Sequence, residues 1–506
     1  MRGGPLHAGL ERAADRFGER VALRAGDRSW TFDELEALAN GFARHLASDG
    51  VGPGQRVAVM MANRVEVPVA VHAISKLGAA TVLVSPAWKR LEVAHALGVT
   101  TPVHAVADAE AAPLLGELLG EARVTDVDDP VTIGAVVPTR HRPSEVAVPG
   151  SAESVLVFSS GTTGMPKAVR HSHDSMRHAT AHWVTVLGLG PDDRFQVATP
   201  PSHILGLLNL LAAVAAGSTV RLHRRFDLDA VLSSIERDRM TLEMAVAPIA
   251  LAMANHPRLE DHDLSSLRYV MWGATPVSET VARTVTERTG VRWLPAYGAS
   301  EVPVIACNPV DRPDDWRLDS AGLPAPETEL RAVDLDSGDP LARGGIGEIE
   351  VRGPSVMTGY LPEAESAAAF HDGWYRTGDV GWLEPEGWVH LTDRRKEMIK
   401  VNGFQVAPAE IEAVLIAHPA VLDCAVFGMP DERAGEVPVA AVQLDPAVRV
   451  AEGELERLVA ESLATYKRLR HVVVVDSVPR LPSGKVLRRT LRDEWAPRLA
   501  YAGTAG

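Results

Sequence analysis

After Thr31 the apolar positions Leu35, Leu38, Phe42 and Leu46 recur at helical spacing and would share one face. Thr31-Phe32-Asp33-Glu34 has the capping-box form, a hydroxyl followed three residues later by a carboxylate, so the pattern predicts a helix over about 32–48. Gly50, Gly52, Pro53 and Gly54 then signal a turn into a strand, Arg56–Met61. The alternation continues with a helix near Val65–Leu77, a strand Ala80–Val84, a helix Arg90–Leu97 and a strand near Val103–Val106. Helices and strands in this order predict an α/β fold with parallel sheet. Residues 107–150, rich in Ala, Val, Asp and Pro, finish that first subdomain and carry no chemical pattern.

The pattern changes at Ser154. Val155, Leu156, Val157 and Phe158 form a short apolar run fit for a buried strand, and it breaks abruptly into Ser159-Ser160-Gly161-Thr162-Thr163-Gly164. In such a loop glycines permit backbone conformations closed to other residues, so successive N–H groups can turn toward one anion while hydroxyls add donors. Lys167 supplies a full charge, and Pro166 biases Met165 away from helix, which holds the loop open up to the lysine. The chemistry implied is polyphosphate binding. Gly161-x-x-Gly164-x-x-Lys167 is not the P-loop pattern, which needs Gly-Lys-Ser/Thr opening a helix directly.

Composition narrows the classes. At 506 residues the chain is too long for one core, and 46% hydrophobic residues make it globular. A net charge of −15 argues against nucleic acid or an anionic membrane as main partner, since either needs a basic face. Cys307 and Cys424 stand far apart, outside any metal or disulfide spacing, which points to a reduced cytoplasm. The N-terminal stretch has no apolar h-region and no apolar run approaches the roughly 20 residues of a membrane span, so a soluble cytoplasmic protein is expected. Lysine is scarce, at positions 76, 89, 167, 396, 400, 467 and 485, and of these 167, 396, 400 and 485 fall in motif stretches.

SSGTTGMPK at Ser159–Lys167 resembles the phosphate loop of the adenylate-forming superfamily: acyl-CoA synthetases, luciferases and peptide-synthetase adenylation domains. Later stretches repeat the family's motifs in order. His203, in a turn entering an apolar helix, matches the family's aromatic or His between the ATP and acyl pockets. Gly273-Ala274-Thr275-Pro276 resembles the Gly-Ala-x-Pro turn that lies against adenine and acyl group. Ala296-Tyr297-Gly298-Ala299-Ser300-Glu301 is similar to the family's Tyr-Gly-x-Thr-Glu, which implies stacking on adenine for Tyr297, a phosphate bond for Ser300 and a Mg²⁺ site at Glu301. Asp379 matches the ribose ligand. Arg394, in Asp393-Arg394-Arg395-Lys396-Glu397, would reach the ribose too, with Lys396 the pivot between domains. The resemblance puts Asn402 and Gly403 in the loop lining the pantetheine tunnel, Lys400 near AMP in the second half-reaction, and Lys485 in the catalytic-lysine turn. Gly347–Pro354 matches a strand and turn with no chemistry of its own, and His173, His178 and His182 read as capping or surface histidines with no compelling metal pairing.

The resemblance spans about Thr31 to Arg489. It implies a large N-terminal domain of α/β subdomains, residues 1–393, and a small mobile α+β domain, 394–506. The implied activity is an acyl-CoA ligase that uses ATP, Mg²⁺ and coenzyme A to turn a carboxylic acid into acyl-AMP and then a thioester. A carrier-protein phosphopantetheine in place of CoA, a luciferase-like oxygenase, a one-half-reaction protein and a homodimer stay open. Residues around 202–210, 272–275 and 295–305, mostly apolar or small, would line the acid pocket and suit a hydrophobic, cyclic or aromatic acid. Ala168, where the family carries Gly, would restrict the phosphate loop if its φ had to be positive. Ala296 and Ser300 are milder departures.

Overall fold

The computed structural model describes residues 4–144, 146–159, 165–273, 277–401, 404–431, 434–480 and 484–502. The capping box forms as the sequence predicts: Thr31 Oγ1 accepts the Glu34 N–H at 3.2 Å, Glu34 Oε2 accepts the Thr31 N–H at 2.8 Å, and the helix runs Phe32–Ser48. Arg56–Met60, Ala80–Leu83 and His104–Ala107 are parallel neighbours in a sheet, with Glu66–Lys76 and Arg90–Thr100 as the intervening helices. Val124–Asp126, from the stretch without a chemical pattern, closes that sheet at its far edge.

The phosphate-loop strand, Glu153–Ser159, lies beside Ala80–Leu83. The chain after the loop returns as a strand, Lys167–Ser172, antiparallel to it, with Ser159 opposite Lys167. These two strands thus add a hairpin to a parallel sheet, and Gly359–Leu361 pairs on its outer side to complete seven strands. Ala168 sits in this hairpin between Phe158 and Leu361, fully buried. It is not among the residues with positive φ, so the strain expected of an alanine here is absent: the chain has already entered extended backbone.

Three further sheets complete the large part. A four-stranded sheet joins Val21–Ala25 to Arg194–Val197. A five-stranded sheet centres on Tyr269–Trp272 and Trp293–Tyr297. A third places Gly347–Arg352 and Trp374–Leu383 side by side, with Val389–Arg394 paired to the latter. The chain leaves this sheet at Arg394, makes one turn, and enters a separate sheet at Ile399–Val401 with its own core around Ile411, Val426, Val442 and Val459. The fold is mixed α/β with a large N-terminal part and a small C-terminal one. Among the described residues no helix is long and apolar enough to cross a membrane, and both cysteines are free and buried.

The histidines differ from expectation. His173 is wholly buried, with Nδ1 accepting the Leu6 N–H at 3.1 Å, and His182 is also buried, because the helix His173–Val186 lies against the apolar helix Ile204–Ala216 instead of facing solvent.

Candidate active site

The phosphate-loop residues Ser160, Gly161, Thr162, Thr163 and Gly164 lie outside the described residues, as do Ala274, Thr275, Asn402 and Gly403. Ser159 ends one strand of the hairpin and Lys167 begins the other. Lys167 Nζ lies 2.5 Å from Glu365 Oε2 and 5.4 Å from the centre of the Tyr360 ring, so its charge is already met by an acid the sequence did not single out.

Tyr297 ends the strand Trp293–Tyr297, and Gly298 and Glu301 follow it. Gly298 is required by close approach: a Cβ there would collide with the carbonyl oxygen of Pro303. The turn is braced from the hairpin, since His171 Nε2 lies 2.8 Å from Ser300 O. Burial drives the His171 pKa down to about 4, so its ring is neutral and Nε2–H donates. Glu301 is 8% exposed and accepts the Tyr360 hydroxyl at 2.8 Å. Tyr297 donates its hydroxyl to Asp379 Oδ2 at 2.5 Å, and Arg394 Nε meets Asp379 Oδ1 at 2.8 Å. Burial first, and then the Asp379 charge, raise the Tyr297 pKa well above a phenol's, so it stays a donor. Asp379, foremost, with Tyr297 and Glu301, holds the Arg394 charge in place.

Asp379 is presented by a bend the sequence signalled only in part. Gly378 adopts φ +72°, open to glycine at little cost, and its N–H donates to Glu348 Oε1 at 3.2 Å. Glu348, 3% exposed, also accepts Arg376 at 2.7 Å and Arg395 at 2.8 Å. The strand expected to have no chemistry of its own therefore anchors both the Asp379 bend and Arg395 in the turn that follows Arg394. Its alternating carboxylates, Glu348 and Glu350 interleaved with Gly347, Ile349 and Val351, were the available signal.

The C-terminal turn reaches this network. Gly484 has φ +84° and Lys485 lies 4.0 Å from Glu397 Oε1, while Arg488 pairs with Glu397 and, at 2.7 Å, with Glu412. Burial lowers the Lys485 pKa to about 8, helped by the positive charges of Arg394 and Lys396. Burial, Arg394 and Lys167 likewise lower the Lys396 pKa. The structure thus brings Lys167, Tyr297, Glu301, Asp379, Arg394, Lys396 and Lys485 to one place.

Other expected residues fall elsewhere. Lys400 is exposed on Ile399–Val401, its N–H bonded to Glu436. His203 caps the helix Ile204–Ala216, its Nδ1 accepting the Leu205 N–H at 3.3 Å; burial lowers its pKa to about 4, so the ring is neutral. Gly273 abuts Ala296, whose carbonyl oxygen would lie 3.5 Å from a Cβ at 273. Of the expected acid pocket, Trp272 packs on Trp293 in a separate core and Val302, Val304 and Ile305 have no exposed surface, so these do not line a pocket. His203, Leu205, Ala296, Ala299 and Ser300 keep partly open surface.

The donor set fits a magnesium nucleotide. A buried carboxylate with capacity beyond its one phenol bond suits a hard, hydrated cation, and a carboxylate beside a guanidinium suits a diol. Comparison with known proteins supports the nucleotide. The family model described as AMP-binding enzyme matches residues 10–361, and that of the AMP-binding enzyme C-terminal domain matches 410–485. A 4-coumarate–CoA ligase of Oryza sativa subsp. japonica is 37% identical over 97% of this chain and 92% of that protein. Among solved structures, the anthranilate CoA ligase AuaEII with anthranoyl-AMP superposes with a TM-score of 0.90 at 28% identity, covering 98% of each chain. The amide bond synthetase McbA from Marinactinospora thermotolerans superposes with a TM-score of 0.88 at 32% identity, over 97% of this chain and 100% of that one. The order of motifs, the acid and cation network around Arg394 and these likenesses together place the chain in the AMP-binding enzyme family, the adenylate-forming ligases.

Proposed function

We propose that this chain is an AMP-forming acyl-CoA ligase acting on a hydrophobic, aromatic carboxylic acid. The observation that carries the chemistry is the meeting of Lys485 with the Tyr297–Asp379–Arg394 network across the hinge. The aromatic preference rests on the likeness to ligases named for 4-coumarate and anthranilate, and on the partly open surface of Leu205, Ala296 and Ala299.

In the first half-reaction the acid's carboxylate attacks the α-phosphate of ATP, forming acyl-AMP and releasing pyrophosphate. Asp379 and Arg394 hold the ribose, and Lys167, freed from Glu365, turns to the phosphates. Lys485 bridges carboxylate and α-phosphate, offsetting the charge that builds between two anions. Mg²⁺ at Glu301 would neutralise phosphate charge. In the second half-reaction the small domain, taken as 394–506, turns about Lys396, withdraws Lys485 and brings Lys400 and the 402–403 loop to the site, where the CoA thiol takes the acyl carbon and AMP leaves.

A panel of hydroxycinnamates, benzoates and aliphatic acids, assayed for ATP-dependent pyrophosphate release and CoA thioester, tests this reading. Turnover of an aromatic acid well above acetate is expected; acetate as the best substrate would overturn the acid class. The McbA likeness supports a second reading, in which acyl-AMP passes to an amine. Replacing CoA by an amine in the same assay separates the two, since a ligase forms acyl-AMP but little amide.

A further inference from the structure

His178 and His182 stand one turn apart on the helix His173–Val186, and both rings face Glu327, in the turn before the strand Glu329–Val333. His178 Nδ1 is 3.3 Å from Glu327 Oε2, and His182 Nε2 is 3.6 Å from the same oxygen. One ligand atom from each of the three residues lies within 4.8 Å of the others. His182 is 2% exposed, and neither of its ring nitrogens has a hydrogen-bond partner. The approach of Nε2 to Glu327 is longer than a hydrogen bond. A buried imidazole left this way costs stability unless another atom takes its lone pair.

We propose that His178 Nδ1, His182 Nε2 and the Glu327 carboxylate form a site for a divalent transition cation, Zn²⁺ first, that tethers this helix to the turn entering the Glu329–Val333 sheet. Two imidazoles and one carboxylate are a three-ligand zinc set with a fourth position left for water. Metal–ligand bonds of about 2.0–2.2 Å in a tetrahedral set place ligand atoms roughly 3.5 Å apart. Both separations to Glu327 already match. The acid must come from a side chain that can swing in, and Glu327 is exposed on one side of the buried His182.

One neighbour opposes the ion. Arg177 Nη2 lies 3.0 Å from His178 Nε2 and also bonds Asp174 Oδ1 at 3.1 Å. With metal on Nδ1 the His178 proton sits on Nε2, where it faces the Arg177 donor, so Arg177 must fall back on Asp174. Removing Arg177 therefore strengthens the site. A comparable group, Asp229, His256 and His262, is more open, and His256 already bonds Asp229 at 3.0 Å, which makes it the internal control.

The test uses the full chain without tag histidines, stripped with a chelator and dialysed against Zn²⁺, with bound metal measured by atomic emission and Co²⁺ absorption reporting the ligand geometry. One equivalent is expected to stay bound and to raise the melting temperature. Glu327→Gln, at an exposed side chain that leaves the core intact, and His182→Gln weaken binding about tenfold or more. Arg177→Ala tightens it, and His256→Gln leaves it unchanged. Failure of the wild type to retain Zn²⁺, or retention that His256→Gln abolishes and Glu327→Gln does not, overturns the site.

Discussion

On the large-domain side of the nucleotide site every carboxylate arrives with a partner: Glu301 with the Tyr360 hydroxyl, Asp379 with Tyr297 and Arg394, Glu348 with two arginines. Around the turn after Arg394 the cations outnumber their acids. Lys396 and Lys485 crowd Arg394 with Glu397 as the near carboxylate, and Glu397 is shared with Arg488, so both lysines have lowered pKa values. In the function proposed above, the large-domain side carries groups that need no rearrangement to hold a sugar and a cation. The other side, proposed to move, carries positive charge that a triphosphate would satisfy. An uncompensated charge is tolerable where a ligand supplies its partner and the segment can leave when that ligand is spent.

Lys485→Ala tests the contrast most severely. It should cut acyl-AMP formation by about 10²–10³-fold, the usual cost of one charge-stabilising donor, while supplied acyl-AMP and CoA still give thioester. Equal losses in both half-reactions would mean that Lys485 does not leave the site. Lys396→Pro should do the reverse, because a pivot must change φ and proline locks it near −65°. The Arg394 carbonyl accepts the Glu397 N–H at 2.9 Å, which makes Lys396 the third residue of a turn, where proline also constrains Arg395. A melting curve beside the two half-reaction rates separates lost rotation from lost folding, and thioester formation at the normal rate would remove Lys396 as pivot.

The pH profile sharpens the comparison further. Lys485 acts as a cation, and in the ligand-free enzyme burial and Arg394 set its pKa at about 8, so it loses its proton as pH rises through that value. The adenylation kcat/KM for ATP, which reports the free enzyme, should fall above about pH 8. Glu397→Gln takes away a nearby charge that raises this pKa, and the falling limb should move to lower pH. A limb that moves upward would show that Glu397 is not what keeps the lysine charged.

The smallest effect is expected at Ala168. Because it is buried in extended strand, Ala168→Gly relieves no strain, removes a packed methyl and frees the unfolded chain, for a loss of about 0.5–1 kcal/mol. Denaturant unfolding measures that loss; pyrophosphate exchange should not rise. A faster exchange in the glycine variant would mean that the hairpin must bend at 168 after all.

Much of this was legible before the fold was known. The capping box at Thr31 and the strand at Val155 are local patterns, written by residues a few positions apart, and they fold as read. The histidines of the helix His173–Val186 were not legible. Polar residues at helical spacing say nothing of what packs over them, and the partner Glu327 lies far along the chain. Trp272 misled for a similar reason: beside the stretch Gly273-Ala274-Thr275-Pro276, its side chain nevertheless packs on Trp293.

The sequence by itself determined the α/β order and the family, since helix period, strand alternation and glycine placement act within a few residues. Tertiary structure alone decided which charges are already spoken for. Tyr297 meets Asp379 across 82 residues and Tyr360 meets Glu301 across 59, and Lys485 reaches the site only because the chain turns after Arg394. Electrostatic and hydrogen-bond energies depend on distance in space and on exclusion of water, and neither is defined until the sheets have packed.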